Sequence, residues 1–132
     1  MSAAGHRLAL AYFAAVEAGE LPDSLLTADM TAWTTTQGTM GKGEYQHAIR
    51  LLAQLCSRPI TFTVDAITAE DDRVVAEARS QAVLIDGSGY ANTYVFALRI
   101  RDGRIAQLAE HFNALIVQEK LLPLMPLISG GS

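Results

Sequence analysis

The chain has 132 residues, of which 50% are hydrophobic and only 18% charged, with ten glycines and one cysteine. Ten basic against 14 acidic residues leave a net charge of −4, which argues against nucleic-acid binding, because that needs a basic patch to neutralise phosphates. Polar residues interrupt the apolar ones throughout, so no membrane-spanning helix is expected; no like-charge run exceeds the acids Glu70, Asp71 and Asp72, so no polybasic membrane anchor is expected, and the length suits one core over residues 1–132.

The first element is a helix. Leu8, Tyr12 and Ala15 repeat at helical spacing beside a parallel stripe of Ala9, Phe13 and Val16, and Gly19 supplies the stop. Apolar residues cover most of its circumference, so burial on more than one side is expected. Residues 21–28 suit a short second helix with Pro22 in its first turn, and residues 30–36 are β-branched enough for a strand. After a glycine-rich turn at 38–43, Tyr45, Ala48, Ile49, Leu52, Leu55 and Cys56 mark a helix that Pro59 ends.

From residue 60 the period falls from 3.6 to 2. Ile60, Phe62, Val64 and Ala66 alternate with polar residues, and a strand follows from about Val74 to Ile85. Asp86-Gly87 and Asp102-Gly103 are hairpin signals between long alternating strands. In the strand from Tyr90 to Ile100, the residues Tyr90, Asn92, Tyr94, Phe96, Leu98 and Ile100 share one face, and a last strand is expected from Arg104 to about Ile116. An apolar tail follows at 117–132, interrupted by Pro123 and Pro126. Helices first (about 3–56) and an antiparallel meander after (about 60–116) make an α+β order. Both strand faces carry apolar residues, which predicts a homodimer packed sheet to sheet through the outer face. The N-terminal residues lack the pattern of a signal peptide, and Cys56 alone forms no internal disulfide, so a cytoplasmic location is expected.

Three stretches together resemble a known family: Tyr90-Ala91-Asn92-Thr93-Tyr94-Val95-Phe96, Arg101-Asp102-Gly103-Arg104-Ile105, and Glu110-His111-Phe112-Asn113. Their order and spacing are similar to the SnoaL-like (polyketide cyclase-like) branch of the nuclear transport factor 2-like superfold. The resemblance implies a cone-shaped curved antiparallel sheet, with the N-terminal helices packed on its concave face around a pocket. It also implies a dimer. That superfold serves cyclases, isomerases, epoxide hydrolases and non-catalytic binding modules, so fold does not settle function.

Similar epoxide hydrolases carry an arginine, an acid two residues later, and a second acid on the final strand. Arg79 matches the arginine, but Gln81 and Asn113 stand where the acids would be. An amide cannot take a proton at neutral pH, which argues against epoxide hydrolysis by that route. Two other groups remain for proton transfer. His111 is of the residue type that can both accept and give a proton, and Glu110 matches the glutamate to which the phenazine-biosynthesis branch gives an acid/base role. Strand parity puts Glu110 on the face opposite His111 and Asn113 unless a bulge intervenes.

Each residue also has a structural reading. Glu110 could brace the sheet against Arg79 or Arg104, Arg79 could pair with Glu77 or Glu110, and His111 could sit at the pocket mouth or dimer face. The expected reading is a cofactor-free isomerase, cyclase or lyase acting on a hydrophobic, carbonyl-bearing small molecule. His111, Glu110 and Arg79 are its candidate catalytic groups. Asn113, Gln81, Tyr94, Trp33, Tyr12 and Phe96 are candidates for binding substrate, Trp33 and Tyr94 as lining of an internal cone. The alternative is a non-catalytic ligand-binding or dimerisation module with the same pocket. No metal-ligand spacing and no phosphate loop is present in the sequence; Gly38-x-x-Gly41-x-Gly43 lacks the required context.

Overall fold

A computed structural model describes residues 2–129. Its elements run α1 (Ser2–Ala18), β1 (Leu26–Thr34), β2 (Gly38–Gly41), α2 (Lys42–Leu55), β3 (Thr61–Glu70), β4 (Arg73–Val83), β5 (Gly89–Arg101), β6 (Arg104–Phe112), α3 (Ala114–Lys120) and α4 (Met125–Ser129). The strands form one curved, unclosed six-stranded sheet in the order β2-β1-β6-β5-β4-β3. β1 pairs with β6 in parallel, and the other pairs are antiparallel. Register shifts at Val64/Ala66 in β3 and at Arg99/Ile100 in β5 are the kind of irregularity that bends a sheet. This is the α+β architecture that the sequence suggested. No helix of the described residues is long and apolar enough to cross a membrane.

Cross-strand pairing fixes the two faces, because residues opposite one another point the same way. The row Ile67, Ala76, Phe96, Glu110 and Thr34, and the row Val64, Ala78, Tyr94 and Phe112, belong to the concave side. The alternate rows Val75, Ala97, Ala109 and Trp33, and Glu77, Val95 and His111, belong to the convex side. α1 packs on β3 and β4 while α2 packs on β1, and the core of Ala9, Tyr12, Phe13, Val16, Ile49 and Phe96 lies between helices and concave face.

α1 buries one stripe rather than most of its surface: Gly5, Ala9, Tyr12, Phe13 and Val16 are buried, whereas Leu10 is 45% exposed. A side chain at Gly5 would meet Val74 Cγ2 at 2.8 Å, so this glycine lets the helix lie close against β4. The end of α1 is tied to the sheet, where the Phe62 amide donates to a Glu17 carboxylate oxygen at 2.8 Å.

Three boundaries differ from expectation. The helix expected over residues 21–28 is only a 3-10 turn at Asp23–Leu25, because Leu26 already pairs with Ile105 as strand. The glycine-rich segment contains β2, whose residues pair with Thr31 to Thr34. The last strand stops at Phe112 rather than near Ile116, because the Asn113 side chain accepts from the Leu115 and Ile116 amides and starts α3. The Asp102-Gly103 hairpin is as anticipated, with both residues at positive φ (55° and 75°), the geometry of a type I′ turn.

Candidate active site on the concave face

β6 delivers Glu110 to the inside of the curved sheet opposite Phe96. Its backbone is held on the other side by Thr35, whose amide and hydroxyl both donate to the Glu110 carbonyl oxygen, at 3.2 and 3.3 Å. The helices then bring two phenols to its carboxyl group. Tyr45 of α2 donates to Glu110 Oε1 at 2.7 Å, and Tyr12 of α1 lies 2.5 Å from the Tyr45 oxygen. Tyr45 has one proton and gives it to the carboxylate, so Tyr12 is the donor to Tyr45. The order is therefore Tyr12 to Tyr45 to Glu110.

The surroundings are aromatic. The Tyr12 ring meets Phe96 edge-on at 5.4 Å, Phe13 meets Phe96 at 5.1 Å, and Tyr94 stacks on Phe96 at 5.4 Å. Part of Glu110 remains accessible, but its carboxyl group lies deep among these atoms. Burial pushes its pKa up to about 7, against a smaller opposing pull from the Tyr45 hydrogen bond. A carboxyl group so placed exchanges a proton near neutral pH. Burial also raises Tyr12 and Tyr45 well above the usual phenol range, with the Glu110 charge adding to it, so both stay protonated and act as donors.

A second polar chain runs along the same face. Ser80 of β4 lies 2.9 Å from the Tyr94 hydroxyl, which lies 3.1 Å from that of Tyr90, and Asn92 Nδ2 donates to Tyr90 at 3.0 Å. Among the described residues no buried side-chain nitrogen or oxygen lacks a partner.

The structure divides the sequence-based candidates between the two faces. Glu110, Tyr12, Tyr94 and Phe96 are inside, near one another. His111 is outside, its ring 4.7 Å from that of Trp33. Trp33 therefore does not line an internal cone: it points from the convex face and is 37% exposed. Arg79 is outside as well and makes two 2.9 Å hydrogen bonds to Asp65, not to Glu77 or Glu110. Gln81, in the same strand phase as Arg79, is exposed on that side, and the Asn113 side chain caps α3. Strand parity decides the placement of those on strands, and no bulge reorients Glu110.

Sequence reasoning put Tyr45 only on the core stripe of its helix and did not give Tyr90, Asn92 or Ser80 a place in the site. The signal for two of them was present, since Tyr90-x-Asn92-x-Tyr94 has the period that puts all three on the face of Phe96. Tyr45 had no such signal, because its partner lies 65 residues away. Among the described residues, no group of three or more His, Cys, Asp or Glu side chains is placed to hold a metal ion.

The comparisons with known proteins agree with this architecture. The chain superposes on a putative hydroxylase, AclR, from Streptomyces galilaeus with a TM-score of 0.79 at 19% identity, covering 93% of this chain and 85% of that one. A putative SnoaL-like polyketide cyclase from Jannaschia sp. CCS1 gives 0.76 at 16% identity, covering 91% and 92%. An LEH-like epoxide hydrolase from M. tuberculosis gives 0.73 at 16%, covering 98% of each chain. A search of curated proteins by sequence found no match. The model of the SnoaL-like domain matches residues 9–108, most of the chain, and the protein belongs to that family.

Proposed function

We propose that this protein is a cofactor-free small-molecule enzyme of the isomerase, cyclase or lyase kind, in which Glu110 moves a proton next to a carbonyl group of a hydrophobic substrate. One observation carries this reading: a carboxyl group held by Tyr45 at 2.7 Å inside an aromatic interior, with its pKa raised to about 7. Near neutrality such a group is present both as base and as acid. As carboxylate it takes the proton from the carbon beside the carbonyl, and as carboxylic acid it returns that proton elsewhere on the resulting enolate. The aromatic walls match an apolar substrate body and keep water away, which strengthens each interaction within. Tyr45 acts as positioning residue, aiming the carboxyl and sharing its charge through a hydrogen bond that Tyr12 in turn supports.

His111 and Arg79 drop out of this proposal as proton carriers because they stand on the other side of the sheet. The test uses a hydrophobic β,γ-unsaturated ketone, with formation of the conjugated enone followed by absorbance and deuterium uptake by NMR. The wild type is expected to accelerate the shift, and Glu110→Gln to lose about 10²–10⁴-fold, the usual weight of a general acid/base. Equal rates for both proteins would overturn the reading. The non-catalytic alternative rests on the close filling of the interior by Tyr12, Phe13, Phe62 and Phe96. A ketone that binds but is never converted would favour it.

We also propose that two copies of the chain pair through the convex face. Its centre exposes Trp33, Val75 and Val95 at 37%, 36% and 42%. It is flanked by ion pairs of both signs, Arg79–Asp65 on one side and Arg99–Asp72 on the other, so a two-fold related copy can meet it in charge as well as in apolar surface. Sedimentation should give a dimer for the wild type and a monomer for Val95→Asp, whereas a monomeric wild type sinks the proposal.

A further inference from the structure

Among the described residues, Thr27, Thr34, Ser80 and Asn92 are the buried polar side chains. Thr27 donates to Asp29 Oδ1 at 2.9 Å, and Ser80 and Asn92 are linked into the chain of Tyr94 and Tyr90, whose hydroxyl protons can be ordered either way. Thr34 differs. Its Oγ1 accepts from the Gln37 amide at 3.1 Å, in the turn that leads from β1 to β2, and among the described residues no acceptor takes its hydroxyl hydrogen. A hydroxyl offers one donor and two acceptor sites, and a backbone amide only donates. The assignment is therefore unambiguous: the oxygen receives the amide hydrogen, and the hydroxyl hydrogen is left over.

Thr34 stands beside Glu110. The two are partners in the parallel pairing of β1 with β6 and share the concave face, on strands about 4.8 Å apart. They make no hydrogen bond with each other. Tyr45 occupies Glu110 Oε1, while Oε2 has no hydrogen-bond partner among the described residues. No buried side-chain oxygen there lacks a partner, so Oε2 is open to a small molecule. An uncommitted donor and an open base thus lie side by side. In a carbonyl compound, the oxygen and the carbon that loses a proton are two bonds apart, a span that a donor and a base on adjacent strands can bracket.

We propose that Thr34 is a further catalytic residue, whose hydroxyl donates a hydrogen bond to the substrate's carbonyl oxygen while Glu110 Oε2 takes a proton from the carbon beside it. The inference rests on the proton-transfer reading and adds to it the group that meets the developing charge. As the C–H bond breaks, its electron pair forms the new carbon–carbon double bond and the carbonyl π pair moves onto oxygen. Thr34 steadies that oxygen and keeps its own proton. Glu110, now a carboxylic acid, gives the proton back to carbon as the carbonyl re-forms. Branching at Cβ limits the rotamers of Thr34, and the Gln37 amide holds Oγ1 and polarises its O–H bond. The donor therefore needs little rearrangement in the transition state.

The test uses dibutyl ketone, which carries protons beside its carbonyl and has no double bond to shift. Isotope-edited infrared spectra read the carbonyl stretch of the bound ketone, and NMR reads deuterium uptake at the neighbouring carbons. In the wild type the stretch is expected at lower wavenumber than for the ketone in alkane. Thr34→Val keeps the shape, and Thr34→Ala replaces it should the valine variant not fold. Either should return the stretch toward its alkane position and slow deuterium uptake about 10²–10³-fold, through kcat rather than KM. Thr34→Ser should recover most of both. A ketone that does not bind, a stretch that ignores the valine or alanine substitution, or a serine variant no better than valine would each overturn the inference. Glu110→Gln separates the two readings. If it abolishes uptake but the stretch does not respond to Thr34, only this inference fails. If the stretch responds to Thr34 but Glu110→Gln exchanges as the wild type does, proton transfer by Glu110 fails while the Thr34 contact stands.

Discussion

Glu110 and His111 are neighbours in the chain and on opposite sides of the sheet, and their surroundings differ as much as two places in one small protein can. On the concave side, polar groups are few, enclosed and joined to one another: Tyr12, Tyr45 and Glu110 form one chain, Ser80, Tyr94, Tyr90 and Asn92 another. On the convex side, ionisable groups are more numerous but wet, and Arg79–Asp65 and Arg99–Asp72 pair in the open. An exposed ion pair gains little because water and salt screen it. A buried carboxyl group instead shifts its proton affinity, which is why the side with fewer charges is the one suited to acid/base chemistry.

The largest test of this contrast is a paired substitution on β6. Glu110→Gln should remove about 10²–10⁴ of the rate of enone formation, while His111→Ala, one residue on, should leave that rate within about twofold and affect only the convex surface. A large loss from His111→Ala in a protein that stays folded would break the comparison.

Stability against pH reports the same burial without any substrate. Folding raises the Glu110 pKa from an ordinary carboxylate value to about 7, so the folded state holds a proton that the unfolded chain has released. The stability linked to this group is full below the unfolded pKa and is lost as the pH rises through about 7. Between pH 5 and pH 8 the loss should be of order 2–3 kcal/mol, because each tenfold change in proton affinity is worth roughly 1.4 kcal/mol. Chemical denaturation at pH 5 and pH 8 should show it in the wild type, and Glu110→Gln should be flatter across that window and the more stable protein at pH 8. A wild type with no loss over this range would place the carboxyl in water.

Tyr45→Phe sharpens the picture by roughly tenfold rather than by orders of magnitude. The Tyr45 hydrogen bond favours the charged carboxylate and holds its pKa down against burial. Its removal should therefore move the midpoint of the pH–rate profile upward and reduce the rate at pH 7. An unmoved midpoint would mean that the phenol only fills space.

Period and turn chemistry carried most of this fold in the sequence. Alternation in residues 90–100 put Tyr94 and Phe96 on one face, and parity alone separated Glu110 from His111. What alternation cannot say is which face is concave. That is settled by where α1 and α2 pack, and it moved Trp33, Arg79 and Gln81 from expected pocket positions to the outside. Tyr45 escaped notice for a related reason, since a hydrogen bond from a helix to a strand 65 residues away leaves no local pattern. The end of the last strand was misplaced because apolar residues at 114–117 read equally well as strand or helix, and one side chain decides between them.

That side chain gives the smallest and most specific test. Asn113 was a candidate for touching substrate, on the argument that it stands where related enzymes keep an acid. In the structure its carboxamide oxygen accepts from the Leu115 and Ile116 amides at 3.0 and 3.4 Å, two donors that the first turn of α3 leaves without helical partners. Its backbone amide and carbonyl also hold the Asn92 side chain, and these contacts survive substitution of the side chain. Asn113→Ala should therefore cost about 1 kcal/mol in denaturant unfolding, the usual weight of a lost cap, and leave enone formation near the wild-type rate. Asn113→Asp should restore the stability, because a carboxylate accepts from the same amides and suits a helix N-terminus. If alanine instead abolishes turnover while aspartate restores stability but not rate, the amide acts on substrate, and the division between a reactive inner face and a structural outer one fails at its edge.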